Sequence, residues 1–414
     1  MNLSKPLSNI KGDLSGAVSA AIISIPLSIG YGIIVYGPLG PDFLPFAALL
    51  GIFACLLGGI CGSLLGGTTI QITAPKAPLS LILAAFVLPL TTNLHIPDPA
   101  SKHILIVGLA SLCVLTGGVI QILFGALRLG NLIKYVPYPV VSGFMNGIAV
   151  ILILEQLGPL VGVGCHLSWF DIFYTPTVVH PFTMLVGLTT IIVIFLSRRL
   201  IKAVPASLIG LVIGTALFYV LKNITAAPDM GPVIGNFSFH WPKPDILPKI
   251  SKVLWNVNLA DLFPRILMTG FVLGAIRALE SLLSAVAADN IAGTRHNSNK
   301  ELIGQGIGNT VNAVFSALPS AGSELHNMAN YRAGGRTRLS SFLCGLFILL
   351  IVMTLGPVIG KIPLTVIAGI IISVGIGLFD RWTLDLFRNL SQAGQQRKRI
   401  IANLAVTIVV VVIT

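Results

Sequence analysis

A glutamate within an apolar stretch is the residue of this sequence best suited to bind a cation. Glu280 lies in residues 278–284 (ALESLLS), where a carboxylate facing lipid is so costly that it must face a partner or water. Ser284 lies one helical turn later on the same face, so the two side chains could offer oxygen ligands to a small cation. The alternative is a structural ion pair between Glu280 and Arg277, one turn earlier.

A lysine marks the first of two short breaks in the apolar chain. Lys76 lies in residues 73–78 (TAPKAP), where the prolines predict that a helix restarts. The free N–H groups of that helix end, together with the ammonium, favour an anion. We therefore expect Thr73, Lys76 and Ala77 to contact a substrate. The alternative for Lys76 is a side chain that reaches one membrane interface.

The second break, residues 318–324 (LPSAGSE), carries an acidic residue. Ser323 is an N-cap candidate, and Glu324 falls in the first helical turn, where a carboxylate complements the helix dipole. Glu324 is interpreted mainly in that structural role, and His326 as hydrogen-bonded packing. Ala321, Gly322, Ser323 and Glu324 are nevertheless the candidate substrate contacts of this break.

The two breaks together indicate a transporter. Non-helical backbone is tolerated in a bilayer only where it is buried in protein or lines a water-filled cavity. Interrupted segments at corresponding places in two halves of a chain point to a substrate site. Tyr31 is a further candidate contact, because it follows Pro26, predicted to interrupt the first helix, and lies beside Gly30 and Gly32. A packed interfacial aromatic is its alternative.

The composition predicts an all-α integral membrane protein. Of the 414 residues 55% are hydrophobic and only 10% are charged, against about 25% charged in soluble domains. The net charge of +12 comes from short basic clusters between apolar runs, which are typical of topology signals and not of nucleic-acid binding. No nucleotide, protease or hydrolase motif supports an enzyme.

Apolar runs predict eleven full spans and two shorter segments that follow the breaks. The full spans lie near residues 14–36, 44–66, 103–127, 136–158, 182–197, 203–221, 263–287, 302–317, 339–358, 362–380 and 400–414, and the short segments near 77–92 and 323–333. A fourteenth segment would complete seven plus seven, so the final helix is expected to be truncated.

Basic residues predict the orientation of the chain. With a cytoplasmic N-terminus, 17 of the 26 lysines and arginines lie inside and 7 outside, which leaves Lys76 and Arg277 within the membrane. Cytoplasmic loops hold an excess of Lys and Arg, so this asymmetry supports the assignment. It also requires both short segments to count as crossings. We expect a multi-pass protein of the cell (inner) membrane, in contact with its lipid bilayer.

One long block of residues, from Glu280 to Ser340, is specific enough to indicate a family. It includes residues 287–289 (AAD), 293–302 (GTRHNSNKEL), 304–306 (GQG), Asn309, 318–319 (LP), Asn330, 333–334 (AG) and 336–340 (RTRLS). In this block the chain resembles the SulP family of sulfate-permease-like anion transporters, the counterpart of the solute carrier 26 proteins of animals. Shorter matches are Pro26 with Tyr31, Pro137 with 143–147 (GFMNG), and Pro363 with 368–369 (AG). The chain is especially similar to the bacterial branch that includes cyanobacterial sodium-dependent bicarbonate transporters.

The resemblance implies an inverted-repeat fold of seven plus seven segments, with half-helices at segments 3 and 10. It implies a cytoplasmic N-terminus (residues 1–12), a core domain (13–127 and 263–358), a gate domain (128–222 and 359–414) and an extracellular loop (223–262). The family's cytoplasmic STAS domain is not found in this sequence, and a homodimer is a possible assembly.

The resemblance also implies an anion held between the two half-helices, with Glu280 at the acidic position of segment 8 and Ser284 at the hydroxyl that helps hold sodium. Relatives carry a small hydroxyl residue where Lys76 stands, a small apolar residue where Glu324 stands and often arginine where His326 stands. A fixed cation at Lys76 favours a divalent or carboxylate anion, unless Glu324 neutralises it.

The sequence thus predicts a secondary transporter of bicarbonate, sulfate or a dicarboxylate such as fumarate, working as an elevator. Sodium or proton coupling through Glu280 is expected, with no cofactor other than a coupling sodium ion. A nucleobase/proton symporter on the same fold and an anion channel are the alternatives.

Overall fold

A computed structural model of the chain describes most of its residues: 9–94, 96, 98–131, 138–163, 180–201, 204–225, 230–239, 241, 259–379, 383, 405, 407 and 410. Most of the predicted span at 400–414 and much of the predicted loop at 223–262 lie outside these ranges.

The chain divides into two compact units. One comprises residues 1–131, 203–208 and 232–363, and the other comprises 132–202, 209–231 and 364–414. These bounds lie close to those predicted for the core and gate domains, whose roles stay a prediction.

The first unit consists of helices around one very short sheet. Its elements are α1 (Ile10–Tyr36), α2 (Leu44–Leu65), β1 (Thr73–Pro75), α3 (Ala77–Asn93), α4 (Pro99–Ala126), the helix from Leu259–Ala292, the helix from Ser298–Val314, β2 (Ser320–Gly322), the helix from Glu324–Arg332 and the helix from Arg338–Ile359. The four helices from Leu259 onward are called α9, α10, α11 and α12, because four helices that belong mainly to the second unit lie between α4 and α9 in the sequence.

Those intervening helices are α5 (Tyr138–Glu155), α6 (Leu157–Val161), α7 (Pro181–Leu200) and α8 (Ala206–Thr225), and α13 (Leu364–Leu378) follows α12. Most of α8 belongs to the second unit. Within that unit, the Thr365 hydroxyl lies 3.1 Å from the carbonyl oxygens of Leu160 and Thr183. This contact fixes α13 against α6 and α7.

Helix α1 runs through Pro26 without a break, so the predicted interruption of this helix is wrong. Proline is tolerated in membrane helices because neighbouring groups satisfy the backbone carbonyls that it frees. Every residue from Ile23 to Gly32 is buried. Tyr31 is therefore carried by a continuous helix.

Glycines allow the helices of the first unit to pack at short range. A Cβ on Gly32 of α1 would lie 2.1 Å from the Ala47 carbonyl oxygen, and one on Gly51 of α2 would lie 1.9 Å from that of Ser28. On α4, a Cβ on Gly117 would lie 2.8 Å from the Gly270 carbonyl oxygen of α9. Association of membrane helices depends on such close packing of small residues.

Among the described residues, eight helices are long and apolar enough to cross a membrane, while α3 and α13 are apolar but shorter. The prediction of an all-α membrane protein is confirmed. Both predicted breaks are non-helical, but each contains a strand, which the sequence did not predict.

Candidate functional site

The two breaks pair with each other inside the first unit. Strands β1 and β2 are antiparallel, with Thr73 opposite Gly322, Ala74 opposite Ala321 and Pro75 opposite Ser320. All residues of both strands are buried. The ladder supplies backbone hydrogen bonds where the helices cannot, which an apolar interior requires. Because the strands are antiparallel, α3 and α11 begin at opposite ends of the ladder, so their N-termini flank it.

Lys76 lies at the N-cap position of α3 and contacts two carboxylates. Its Nζ donates to Oε2 of Glu280 on α9 and lies 3.5 Å from Oε2 of Glu324 on α11. The side chains of Lys76 and Glu280 are 12% and 4% exposed, whereas that of Glu324 is 44% exposed. Three residues that the sequence singled out separately therefore form one charge cluster.

Glu280 does not pair with Arg277, the partner considered from helical spacing. Arg277 is completely buried, and its Nη2 donates to the Val114 carbonyl oxygen of α4 at 3.2 Å. Its Nε and Nη1 have no hydrogen-bond partner among the described residues. The carboxylate of Glu280 points instead to a residue from the other half of the chain.

Tyr31 is buried on α1, and its phenol interacts electrostatically with both Lys76 and Glu280. His326 of α11 is also buried and interacts electrostatically with Lys76. The structure thus brings side chains from α1, α9 and α11 around the ammonium at the start of α3.

Ser323 stands at the N-cap position of α11, as predicted, but its hydroxyl caps no backbone N–H. Its Oγ lies 2.6 Å from Nδ1 of His326, and its backbone N–H donates to the Ile72 carbonyl oxygen at 3.0 Å. The interpretation of His326 as hydrogen-bonded packing fits this contact. Nε2 of His326 has no partner among the described residues.

The remaining substrate candidates line the ladder. The Thr73 hydroxyl accepts from Nε2 of Gln305 at 2.8 Å, and Ala77 and Ala321 are buried. A Cβ on Gly322 would lie 2.2 Å from Nε2 of Gln71, so only glycine fits there without a shift. Their contact with a substrate stays a prediction.

Ser284 is buried on α9, one turn after Glu280, but its hydroxyl is engaged elsewhere. Its Oγ accepts from Nδ2 of Asn327 on α11 at 2.9 Å. Oδ1 of Asn327 accepts from the Ile72 backbone N–H at 2.7 Å. Asn327 therefore connects α9 to the chain just before β1. The pairing of Glu280 and Ser284 around a cation stays a prediction.

A buried glutamate that the sequence did not single out holds the first break in place. Glu301 of α10 accepts five hydrogen bonds of 2.7–2.9 Å: from the backbone N–H groups of Gly67 and Thr68 and the Thr68 hydroxyl at Oε2, and from Nε2 of Gln71 and Gln305 at Oε1. These donors saturate the carboxylate, so Glu301 is unsuited to bind a substrate.

The spacing of Glu301 with Gln305 and Asn309, four residues apart along α10, is the sequence signal that could have identified this polar helix face. Asn309 Oδ1 accepts from the Ser320 backbone N–H at 2.8 Å, while its Nδ2 donates to the Ser320 carbonyl oxygen at 2.9 Å. The side-chain amide therefore takes the place of a neighbouring strand for β2.

The comparison with protein families gives one result that covers nearly the whole chain: the model of the sulfate permease family matches residues 10–395. The chain is 31% identical over 395 residues to "Bicarbonate transporter BicA" of Picosynechococcus sp. and 32% identical over 392 residues to the protein of the same name in Synechocystis sp.. These alignments cover 93% of this chain but only 65% and 64% of the two relatives.

A more distant relative is "Putative sulfate transporter YvdB" of Bacillus subtilis, 28% identical over 383 residues. That alignment covers 91% of this chain and 66% of the relative.

Solved structures agree with the fold described above. The transmembrane domain of a cyanobacterial bicarbonate transporter, BicA, matches with a TM-score of 0.77 and 30% identity over 98% of both chains. SLC26A9 matches with the same TM-score and 17% identity, over 99% of this chain and 66% of that one. The inverted-repeat helical membrane fold expected from the sequence is thereby confirmed.

Proposed function

We propose, given that this chain belongs to the sulfate permease family, that the protein is a secondary transporter of a small inorganic or carboxylate anion. The candidate substrates are bicarbonate, sulfate and a dicarboxylate such as fumarate. The names of the relatives support the first two, and the fixed positive charge of Lys76 supports a divalent or carboxylate anion.

The observation that carries the proposal is the pairing of the two breaks, with Lys76 beside them. Two helix N-termini flank the β1–β2 ladder, and each presents unpaired backbone N–H groups and the positive end of a helix dipole. The ammonium of Lys76 has three N–H donors, of which the contacts with Glu280 and Glu324 use two. One donor is left for an anion.

We propose that the anion reaches this place from water on one side and leaves to the other by movement of the first unit as a core domain past the second as a gate domain. The binding groups all belong to the first unit, which supports an elevator in which the site moves as a whole. The buried β1–β2 ladder, and polar side chains with all their hydrogen bonds made, such as Glu301, keep the site rigid during that movement.

Coupling to sodium or protons through Glu280 is part of the proposal. Glu280 is an almost completely buried carboxylate in a membrane helix, and such residues mark ion and proton pathways. A cation taken up there would offset the charge of the transported anion. The protein would work in the cell (inner) membrane with a cytoplasmic N-terminus, and a homodimer is the proposed assembly.

Counterflow in proteoliposomes tests the function directly. Vesicles loaded with unlabelled bicarbonate, sulfate or fumarate are diluted into the same labelled anion, with protein-free vesicles as the control. We expect transient accumulation of at least one labelled anion. Absence of accumulation for all three would refute the proposal.

The same vesicles separate the alternatives. A nucleobase symporter would accumulate labelled uracil, whose neutral ring has no use for the Lys76 ammonium. With the membrane potential clamped at zero by equal potassium on both sides and valinomycin, an anion channel would not accumulate the label transiently. Neither result is expected.

A further inference from the structure

The ammonium of Lys76 binds the carboxylate of Glu280, the group that a coupling cation would need. Lys76 Nζ donates to Glu280 Oε2, and both side chains are largely withdrawn from solvent. The two residues are 204 positions apart in the sequence, so the contact is a product of the fold and not of helical spacing. The positive charge is fixed to the chain at the start of α3.

The other groups around Glu280 offer little to replace this contact. Glu324 of α11 also faces the ammonium, at 3.5 Å. Tyr31 of α1 interacts electrostatically with both residues of the pair, and His326 of α11 interacts electrostatically with Lys76. The Ser284 hydroxyl, the second ligand predicted for sodium, accepts a hydrogen bond from Asn327. Sodium would therefore find one carboxylate oxygen already bound, and the Ser284 oxygen has one of its two lone pairs left for a cation.

The Lys76 ammonium is expected to bind the Glu280 carboxylate more favourably than a free sodium ion would. Sodium must lose most of its water shell to bind buried oxygen atoms, and hard cations need several oxygen ligands in return. A tethered ammonium is present at a high effective concentration because it cannot diffuse away. A second cation beside the same buried carboxylate would also be repelled by the first, since charges interact strongly where water is excluded.

We infer that Lys76 is a tethered counter-cation that stands at Glu280 in place of sodium, so that anion transport by this protein needs no sodium. The inference rests on the proposed function and narrows the choice of coupling ion. Of sodium and the proton, it excludes sodium and leaves the proton as the coupling ion. The sodium site predicted from Glu280 and Ser284 is formed only when the charge of Lys76 is removed.

The first test compares counterflow of the transported anion in sodium medium with counterflow in N-methyl-D-glucamine medium of the same pH and ionic strength. Counterflow by the unchanged protein is expected to be equal in the two media. Lys76→Arg keeps a fixed cation, so the ratio of its own rates in the two media is also expected to be one, whatever its absolute rate. A loss of about tenfold or more without sodium, within the usual range of coupling between two ligands, would overturn the inference.

The second test measures binding of radioactive sodium to the purified full chain in detergent, and needs no transport. The unchanged protein and Lys76→Arg are expected to bind none saturably. Lys76→Met, which frees Glu280, is expected to bind sodium saturably, and Lys76→Met combined with Glu280→Gln is expected to lose that binding. Size-exclusion chromatography establishes that each variant is folded.

The outcomes separate the two claims. If counterflow fails for every anion but sodium binding appears only in Lys76→Met, the proposed function is wrong and the inference about the site stands. Saturable sodium binding by the unchanged protein, or none by folded Lys76→Met, overturns the inference even if anions are transported.

Discussion

The opposite charges of Lys76 and Glu280 depend on each other. A buried charge is stable in a membrane protein only when a partner compensates it, and removal of one partner leaves the other buried and uncompensated. Glu324, nearly half exposed, depends less on the ammonium because water solvates it. Substitutions at Lys76 and Glu280 will therefore affect stability as well as binding.

Glu280→Gln is expected to abolish uptake driven by an ion gradient, because the amide keeps the shape of the side chain but carries no charge for a cation. The measurement is anion accumulation in proteoliposomes under an imposed proton or sodium gradient. Glu324→Gln is the matched control, and it should keep ion-driven uptake. Undiminished ion dependence in Glu280→Gln would remove this residue from the coupling mechanism.

Lys76→Ala is expected to raise the KM for the transported anion by roughly ten- to a hundredfold, since a hydrogen bond to a charged group contributes about 1.5–3 kcal/mol. Concentration-dependent counterflow gives the KM for bicarbonate, sulfate and fumarate in turn. The loss should be largest for a divalent anion. An unchanged affinity and an unchanged order of anions would show that Lys76 does not touch the substrate.

The sequence identified Lys76, Glu280 and Glu324 as candidates, but not the contact between Lys76 and Glu280. Helical spacing offered Arg277 as a partner for Glu280, because only neighbours along one helix are visible in a local pattern. The observed partner comes from the other half of the chain. The sequence associates the fixed cation at Lys76 with an anion unless Glu324 neutralises it, and Glu324 does lie 3.5 Å from the ammonium.

At the scale of the elements, the β1–β2 ladder solves a problem that the two prolines create. Pro75 and Pro319 prevent continuous helices, and the freed backbone groups have no water nearby. The ladder pairs some of them, and side chains of α10 and α11 pair others. The short half-helices are thereby held at fixed positions.

Glu301→Leu is expected to lower the stability of the first unit markedly, because the backbone N–H groups of Gly67 and Thr68 and the Thr68 hydroxyl lose their acceptor, at about 1–3 kcal/mol for an unsatisfied buried group. Glu301→Gln keeps one acceptor oxygen and should be intermediate. Thermal unfolding in detergent, followed by tryptophan fluorescence, gives the order. Lys300→Ala, at an exposed neighbouring position, is the control. Equal midpoints for Glu301→Leu and the unchanged protein would contradict the assigned role.

Gly51→Ala is expected to destabilise the crossing of α1 and α2, since its Cβ would collide with the Ser28 carbonyl oxygen. Gly59→Ala on the same helix is the matched control, because there the nearest atom is the Thr73 carbonyl oxygen at an ordinary 3.6 Å. Alanine is also favoured over glycine in helices by about 1 kcal/mol. The midpoint of thermal unfolding should therefore fall in Gly51→Ala and stay the same or rise in Gly59→Ala. An equal shift in both variants would argue against the tight crossing.

The sequence predicted the places of these elements better than their form. Prolines at 75, 78 and 319 identified both breaks, since proline removes a backbone N–H and favours the first turn of a helix over its interior. Strands of three residues carry too few positions for a period-two pattern, so β1 and β2 were missed. Pro26 gave the opposite error, because the buried surroundings of α1 tolerate a proline that a local rule treats as an interruption.

At the scale of the whole molecule, composition and charge distribution were enough to predict a multi-pass helical protein. The family resemblance added the inverted repeat, which no local pattern contains. The division into two units was predictable only through that resemblance, because each unit is assembled from separate parts of the chain. The transported anion is not determined at this scale: it depends on the few side chains at the breaks.

The central claim is that the transported anion binds between the two breaks. Ser323→Cys places a thiol at the start of α11 with little change in size. Ser323 is only 6% exposed, so labelling by a small thiol reagent requires the site to open to water. It is measured above the background of the unchanged chain, in which Cys55, Cys113 and Cys344 are buried and Cys61 is half-buried. In a variant that retains counterflow, the account predicts that the transported anion slows labelling in proportion to its occupancy, while a non-transported anion at equal ionic strength does not. An unchanged labelling rate at saturating concentrations of the transported anion would contradict the claim.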